Sequence, residues 1–148
     1  MRCLQLSVVI PVYQGENTVP DLISELETLT EEQRTPEGRL FQIQEVLLVW
    51  DRGPGRSDET LRKLADQFTF VRPLWLSRNF GQHAATLAGM TSSGGDWIVT
   101  MDEDGQQDPA YIGAMLDRAY NCQAQLVYAE PTNQPPHSGL RNFASKSV

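Results

Sequence analysis

The sequence predicts an α/β fold: a mostly parallel sheet with helices on both faces. Three observations carry this. Short apolar, β-branched runs alternate five times with segments of helical spacing. The intervals between the runs are too long for the tight loops of hairpins. The runs are also apolar on successive residues, as in Val46-Leu47-Leu48-Val49, which suits strands buried on both faces. Strand–helix–strand units of this kind build parallel sheets.

Each element follows from its residues. Residues 4–10 are a short β-branched strand closed by Pro11. Residues 16–30 place Val19, Leu22, Ile23, Leu26 and Leu29 at helical spacing, with Asn17 or Thr18 as cap. Residues 31–39 are polar and hold Pro36 and Gly38, so a loop is expected. Residues 43–50 form the second strand, and the Gly/Pro-rich stretch 51–56 breaks it. Ser57 or Asp58 caps a helix to about Gln67, with Leu61 and Leu64 inward. Residues 70–76 are the third strand, and 80–91 an Ala-rich helix. Residues 97–101 are the fourth strand, and Pro109 starts a helix to about Cys122. Residues 126–129 are the fifth strand. Pro131, Pro135, Pro136 and Gly139 then mark irregular chain, and 140–148 reads as the start of a helix. The expected organisation is an α/β domain over 1–130, followed by a distinct segment over 131–148.

Composition bounds the function. The 148 residues carry 12 Lys plus Arg against 19 Asp plus Glu, a net charge of −7. That balance argues against broad electrostatic binding to nucleic acid. It also sets a problem, because an anionic ligand would need a local cation. Cys3 and Cys122 lie in no CxxC and beside no His, so they read as packed or surface thiols in a reducing, cytoplasmic setting. No apolar run reaches the ~20 residues of a membrane helix. Residues 1–13 are interrupted by Gln5 and Ser7 and lack a small-residue cleavage site, so they read as a strand and not a signal peptide.

Ligands of parallel sheets sit beyond the carboxyl ends of the strands. After the fourth strand comes Asp102-Glu103-Asp104-Gly105-Gln106-Gln107-Asp108-Pro109. Alternation puts Asp102 and Asp104 on one side of an extended segment and Glu103 on the other. Two neighbouring carboxylates repel unless a proton or a cation intervenes. A hard divalent ion, Mg²⁺ or Mn²⁺, takes such oxygen ligands, and the Gln106 amide offers another. Asp108 fits a helix cap. After the first strand, which Pro11 ends, Tyr13 offers a flat ring to a base, and Glu16 can accept from a sugar or base edge. Asp51, after the second strand, is placed either to read a ribose or base N–H or to cap a turn. After the third strand, Arg78 is a candidate cation, and Asn79 a cap or a substrate contact. His83 reads as a surface or core residue of a helix.

These stretches together resemble the family 2 inverting glycosyltransferases of the GT-A fold, which are Rossmann-like. The resemblance rests on Val8-Val9-Ile10-Pro11-Val12-Tyr13, Val49-Trp50-Asp51 with Ser57-Asp58-Glu59-Thr60, Ser77-Arg78-Asn79-Phe80-Gly81, and Met101 to Pro109, in order over residues 4–130. The third and fourth look most like the branch that glycosylates polyprenyl phosphates. The resemblance implies that Pro11, Tyr13, Glu16 and Asp51 line the base and ribose of a UDP- or GDP-sugar. It implies that Asp102, Asp104 and Gln106 hold a divalent metal bridging the donor diphosphate, with Asp104 as catalytic residue. Arg141, in Arg141-Asn142-Phe143-Ala144-Ser145, would contact phosphates. The acceptor would be a polyprenyl phosphate or a saccharide, reached from the inner face of the membrane.

Departures are informative. Trp50 stands where the family usually has an acid, Gln14 where Asn is commoner, and Glu130-Pro131 where an Arg is frequent. Family members continue well beyond this length, so the sequence reads as the donor-binding part of a longer enzyme. An open sheet edge would admit a homodimer. An inactive sugar-nucleotide-binding module is the alternative. A nucleotidyltransferase fits less well, because residues 12–19 hold one Gly and no basic residue.

Overall fold

The computed structural model describes residues 2–124, 126–129 and 143–146. In chain order the elements are β1 (Leu4–Val12), α1 (Val19–Glu27), β2 (Gln33–Arg34), β3 (Leu40–Trp50), α2 (Ser57–Gln67), β4 (Val71–Trp75), α3 (Gln82–Ser92), β5 (Trp97–Thr100), α4 (Ile112–Asn121), β6 (Leu126–Ala129) and β7 (Phe143–Lys146). A 3-10 turn, Pro109–Tyr111, leads into α4. The parallel strands of the main sheet run β4, β3, β1, β5. The α/β fold with a mostly parallel sheet is therefore as the sequence predicts. No helix among the described residues is long and apolar enough to cross a membrane.

The central strands β1 and β3 are buried on both sides, which explains their unbroken apolar runs. Leu6, Val8, Ile10 and Val12 of β1 pack on one face with Leu22 and Ile23 of α1, Leu61 of α2, and Leu116 of α4. Val9 of β1, with Leu47 and Val49 of β3, packs on the other face against Ala85 of α3.

A bulge resets the pleat. Leu6 pairs with Ile43 but Ser7 pairs with Glu45, so Gln44 is the extra residue on β3. Phe41 and Ile43 before the bulge thus share a core with Val46 and Leu48 after it. Without the bulge, that alternation would carry Glu45 into the apolar face. Instead Glu45 accepts from Ser7 Oγ at 2.6 Å and from Gly94 N at 2.7 Å, and pairs with Arg72. Burial opposes the Glu45 charge, yet these donors together hold its carboxyl below the usual range.

Several expected elements are corrected. The loop expected over 31–39 contains β2, which pairs antiparallel with the start of β3. Pro36 and Gly38 belong to the turn of that hairpin, where Gly38 N donates to Thr35 O at 2.9 Å. The fifth strand, β6, leaves the main sheet and pairs with β7. The helix expected over 140–148 is replaced at Phe143–Lys146 by that strand, because a pairing partner overrides local propensity. Asn79 and Ser57 do not cap helices. Gly81 is the N-cap of α3, and Ser57 is the first residue of α2, with its hydroxyl turned elsewhere. Thr18 is the N-cap of α1 but makes no side-chain cap bond. Asp108 does cap, accepting from Ala110 N at 2.9 Å.

Candidate functional site

The strand ends open on a cleft of about 540 Å³. Six expected site residues line it: Pro11, Tyr13, Asp51, Asn79, Asp102 and Asp104. Gln82 and Glu103, which sequence reasoning did not select, line it too. The reason is topological. β4, β3, β1 and β5 lie side by side, so four parallel carboxyl ends deliver their loops to one place.

Each wall is held by a carboxylate that accepts from another loop. Asp51 is 4% exposed. Its Oδ1 accepts from Phe80 N at 2.8 Å, and its Oδ2 from Gly81 N at 3.1 Å. Asn79 Nδ2 donates to Asp51 O at 2.8 Å and lies 3.4 Å from Asp51 Oδ2. Asp51, just past β3, therefore ties down the segment that leads into α3. Glu103 accepts from Tyr13 N at 2.8 Å and Gln14 N at 3.1 Å. The segment turns at Glu103–Asp104 and does not run on as the extended chain whose alternation the sequence suggested, so Glu103 lines the same cleft as Asp102 and Asp104 while reaching the end of β1.

Glu16 does not line the cleft. Its carboxylate accepts from Ser57 Oγ at 2.7 Å, and that bond foremost lowers its pKa. Gln106 lies apart as well. It lines a second cleft, of about 610 Å³, with Glu25, Thr28 and Pro109. Arg141 lies outside the described residues. Arg78 stacks over the Phe80 ring, 4.2 Å from its centroid. Arg52 has a positive φ of 54°, rare for a non-glycine. Its Nε donates to Leu76 O at 3.0 Å, and its guanidinium covers Trp50 at 4.8 Å. Trp50, where the resemblance expects an acid, packs edge-on to Trp75 at 5.8 Å. Its Nε1 is buried without a hydrogen-bond partner among the described residues.

The donor set at the β5 end suits a hard cation in kind. Asp102 Oδ1 accepts from Gln82 Nε2 at 3.0 Å, and Asp104 Oδ1 from Gln106 N at 3.0 Å. Each bond engages one oxygen of a carboxylate that has two. Mg²⁺-like ions bind through one or two carboxylates plus phosphate and water, which is what this pair can offer. Among the described residues no group of three His, Cys, Asp or Glu side chains forms a fuller cage.

The profile of Glycosyl transferase family 2 matches residues 7–146. The chain belongs to that family. It is 41% identical over 144 residues to an undecaprenyl-phosphate 4-deoxy-4-formamido-L-arabinose transferase of Pseudomonas aeruginosa (strain LESB58), covering 97% of this chain and 40% of that protein. A transferase of the same name from Aeromonas hydrophila subsp. hydrophila is 35% identical, covering 97% of this chain and 41% of its own length. The chain thus spans about two fifths of the curated relatives it matches. Among solved structures, S. aureus TarS 1-349 superposes with a TM-score of 0.63 at 16% identity, over 94% of this chain and 39% of that one. The mannosyltransferase PcManGT of Pyrobaculum calidifontis, solved with GDP-Man and Mn²⁺, gives 0.56 at 13% identity, over 70% and 28%. The fold is that of the GT-A glycosyltransferases.

Proposed function

We propose that this chain forms the donor-binding part of a glycosyltransferase. It would take a sugar from a UDP- or GDP-sugar and pass it, with inversion, to a polyprenyl phosphate at the cytoplasmic face of a membrane. The observation that carries this reading is the single cleft that gathers Tyr13, Asp51, Asn79, Asp102 and Asp104. The related undecaprenyl-phosphate transferases support the acceptor, and PcManGT with GDP-Man and Mn²⁺ supports the donor and metal.

In this reading the Tyr13 ring, 46% exposed, stacks on the base. Asp51 and Asn79 shape the wall beside it. Asp102 and Asp104 hold the divalent ion, with Asp104 as catalytic residue, and Gln106 joins them only if its loop moves. The ion supplies Lewis-acid stabilisation of the nucleoside-diphosphate leaving group. A phosphate acceptor is already ionised, so its attack needs no general base from this chain. Arg141 is proposed as a phosphate contact.

The test is thermal. Mn²⁺ with GDP or UDP at a hundredfold excess over its dissociation constant should add about 2.7 kcal/mol of stability. Asp104→Ala should abolish the metal's share of that gain. Nucleotide binding by Asp104→Ala with unchanged metal dependence would refute the metal assignment. One observation favours a second reading, a binding module without activity: Trp50 occupies the usual acid position and is packed by Trp75 and Arg52. Sugar transfer or donor hydrolysis by the protein would eliminate it.

A further inference from the structure

We infer that Glu103 is a positioning residue that couples the metal side of the cleft to its nucleotide side. The inference rests on the donor-site reading above and deepens it. Glu103 sits between the two cleft acids in sequence, yet its carboxylate belongs to another loop. It accepts from two consecutive backbone N–H groups, Tyr13 N at 2.8 Å and Gln14 N at 3.1 Å. Its own carbonyl accepts from Thr18 Oγ1 at 2.6 Å. One residue therefore grips both ends of loop 13–18.

The loop is shaped for this grip. A Cβ on Gly15 would lie 2.5 Å from Val19 Cγ2 and 3.0 Å from Glu103 Oε2, so a larger residue would clash with Val19 and crowd the carboxylate. From the far side, Gly15 N donates to Ser57 Oγ at 2.9 Å, and that hydroxyl donates to Glu16 at 2.7 Å. The loop that carries Tyr13 is thus clamped between the start of α2 and residue 103. When Asp102 and Asp104 are fixed by a cation, Glu103 is fixed with them, and so is the Tyr13 backbone. Metal and nucleotide then strengthen each other's binding by the same factor.

The chemistry requires a carboxylate. Two adjacent donors need two acceptors, and an ionised Glu is acceptor-only on both oxygens. A Gln presents one oxygen and one NH₂, so one backbone N–H must face a donor.

The test compares the native chain with Glu103→Gln and Glu103→Asp, using Glu45→Gln as a control remote from the cleft. Amide hydrogen exchange reads Tyr13 and Gln14 directly. Calorimetric titration of GDP and UDP, with and without Mn²⁺, reads the coupling. In Glu103→Gln one of the two amides, the one left facing the NH₂, should exchange about tenfold faster, and the Mn²⁺-dependent gain in nucleotide affinity should fall about tenfold, the worth of one charge-assisted hydrogen bond. Glu103→Asp, one methylene shorter, should fall between, and Glu45→Gln should keep the full gain. A nucleotide-binding native chain whose Glu103 variants keep both the protection and the gain overturns this inference alone. A native chain that binds neither nucleotide in either condition overturns the donor-site reading, and this inference with it.

Discussion

Asp51→Ala is the most informative single substitution for the architecture of the cleft. The carboxylate is 4% exposed and accepts from Phe80 N, Gly81 N and, at longer range, Asn79 Nδ2. Gly81 caps α3 without any side-chain cap of its own. A net hydrogen bond to a charged group is worth about 1.5–3 kcal/mol. Two good bonds would set a ceiling near twice that. Both bonds are only part-buried, so water can reach the freed amides and reduce the loss. The expected cost is about 2–4 kcal/mol, a drop in Tm of roughly 6–12 °C for a domain of this size. Asp51→Asn keeps one acceptor and should lose about half as much. Urea unfolding followed by tryptophan fluorescence measures the cost, and exchange at Phe80 and Gly81 locates it. A loss below about 1 kcal/mol with unchanged protection at both amides would show that Asp51 does not hold this wall.

Other expectations concern the frame and the acids. Gly89→Ala places a Cβ 2.3 Å from Val9 Cγ1 and should cost about 1–3 kcal/mol by overpacking, read by urea unfolding. Glu45 has its folded pKa lowered, so its stabilisation is present above the unfolded value and lost as pH falls through the folded one. The native chain should therefore lose stability below about pH 4.3. Glu45→Gln should be weaker at pH 7 and show a shallower acid slope; identical slopes would contradict the assignment. Gln82→Ala removes the donor on Asp102 and should weaken Mn²⁺ binding by about tenfold, with little change in Tm.

The frame was legible because burial on both faces leaves a plain mark: unbroken apolar strands at βαβ intervals. The cleft was partly legible because sheet topology alone says where loops converge, and six residues chosen at strand ends do line one cavity. What escaped the sequence has physical causes. β2 is two residues long, and Pro36 and Gly38 mark a hairpin turn as readily as a loop. β7 exists through its pairing with β6, which no local propensity encodes. The bulge at Gln44 shows only as an acid in an apolar strand. Asp51 reads in sequence as a ligand or turn contact, but its carboxylate, like that of Glu103, meets backbone amides from loops 29 residues or more away in the chain. Such contacts are set by tertiary structure.

The central claim is that Asp102 and Asp104 present a divalent ion to a nucleoside diphosphate. Titration of Mn²⁺ followed by electron paramagnetic resonance, with UDP or GDP present, tests it most directly. The account predicts a single bound ion that disappears in both Asp102→Asn and Asp104→Asn. Absence of bound Mn²⁺ in the native chain with either nucleotide, or an ion that survives both substitutions, would contradict it.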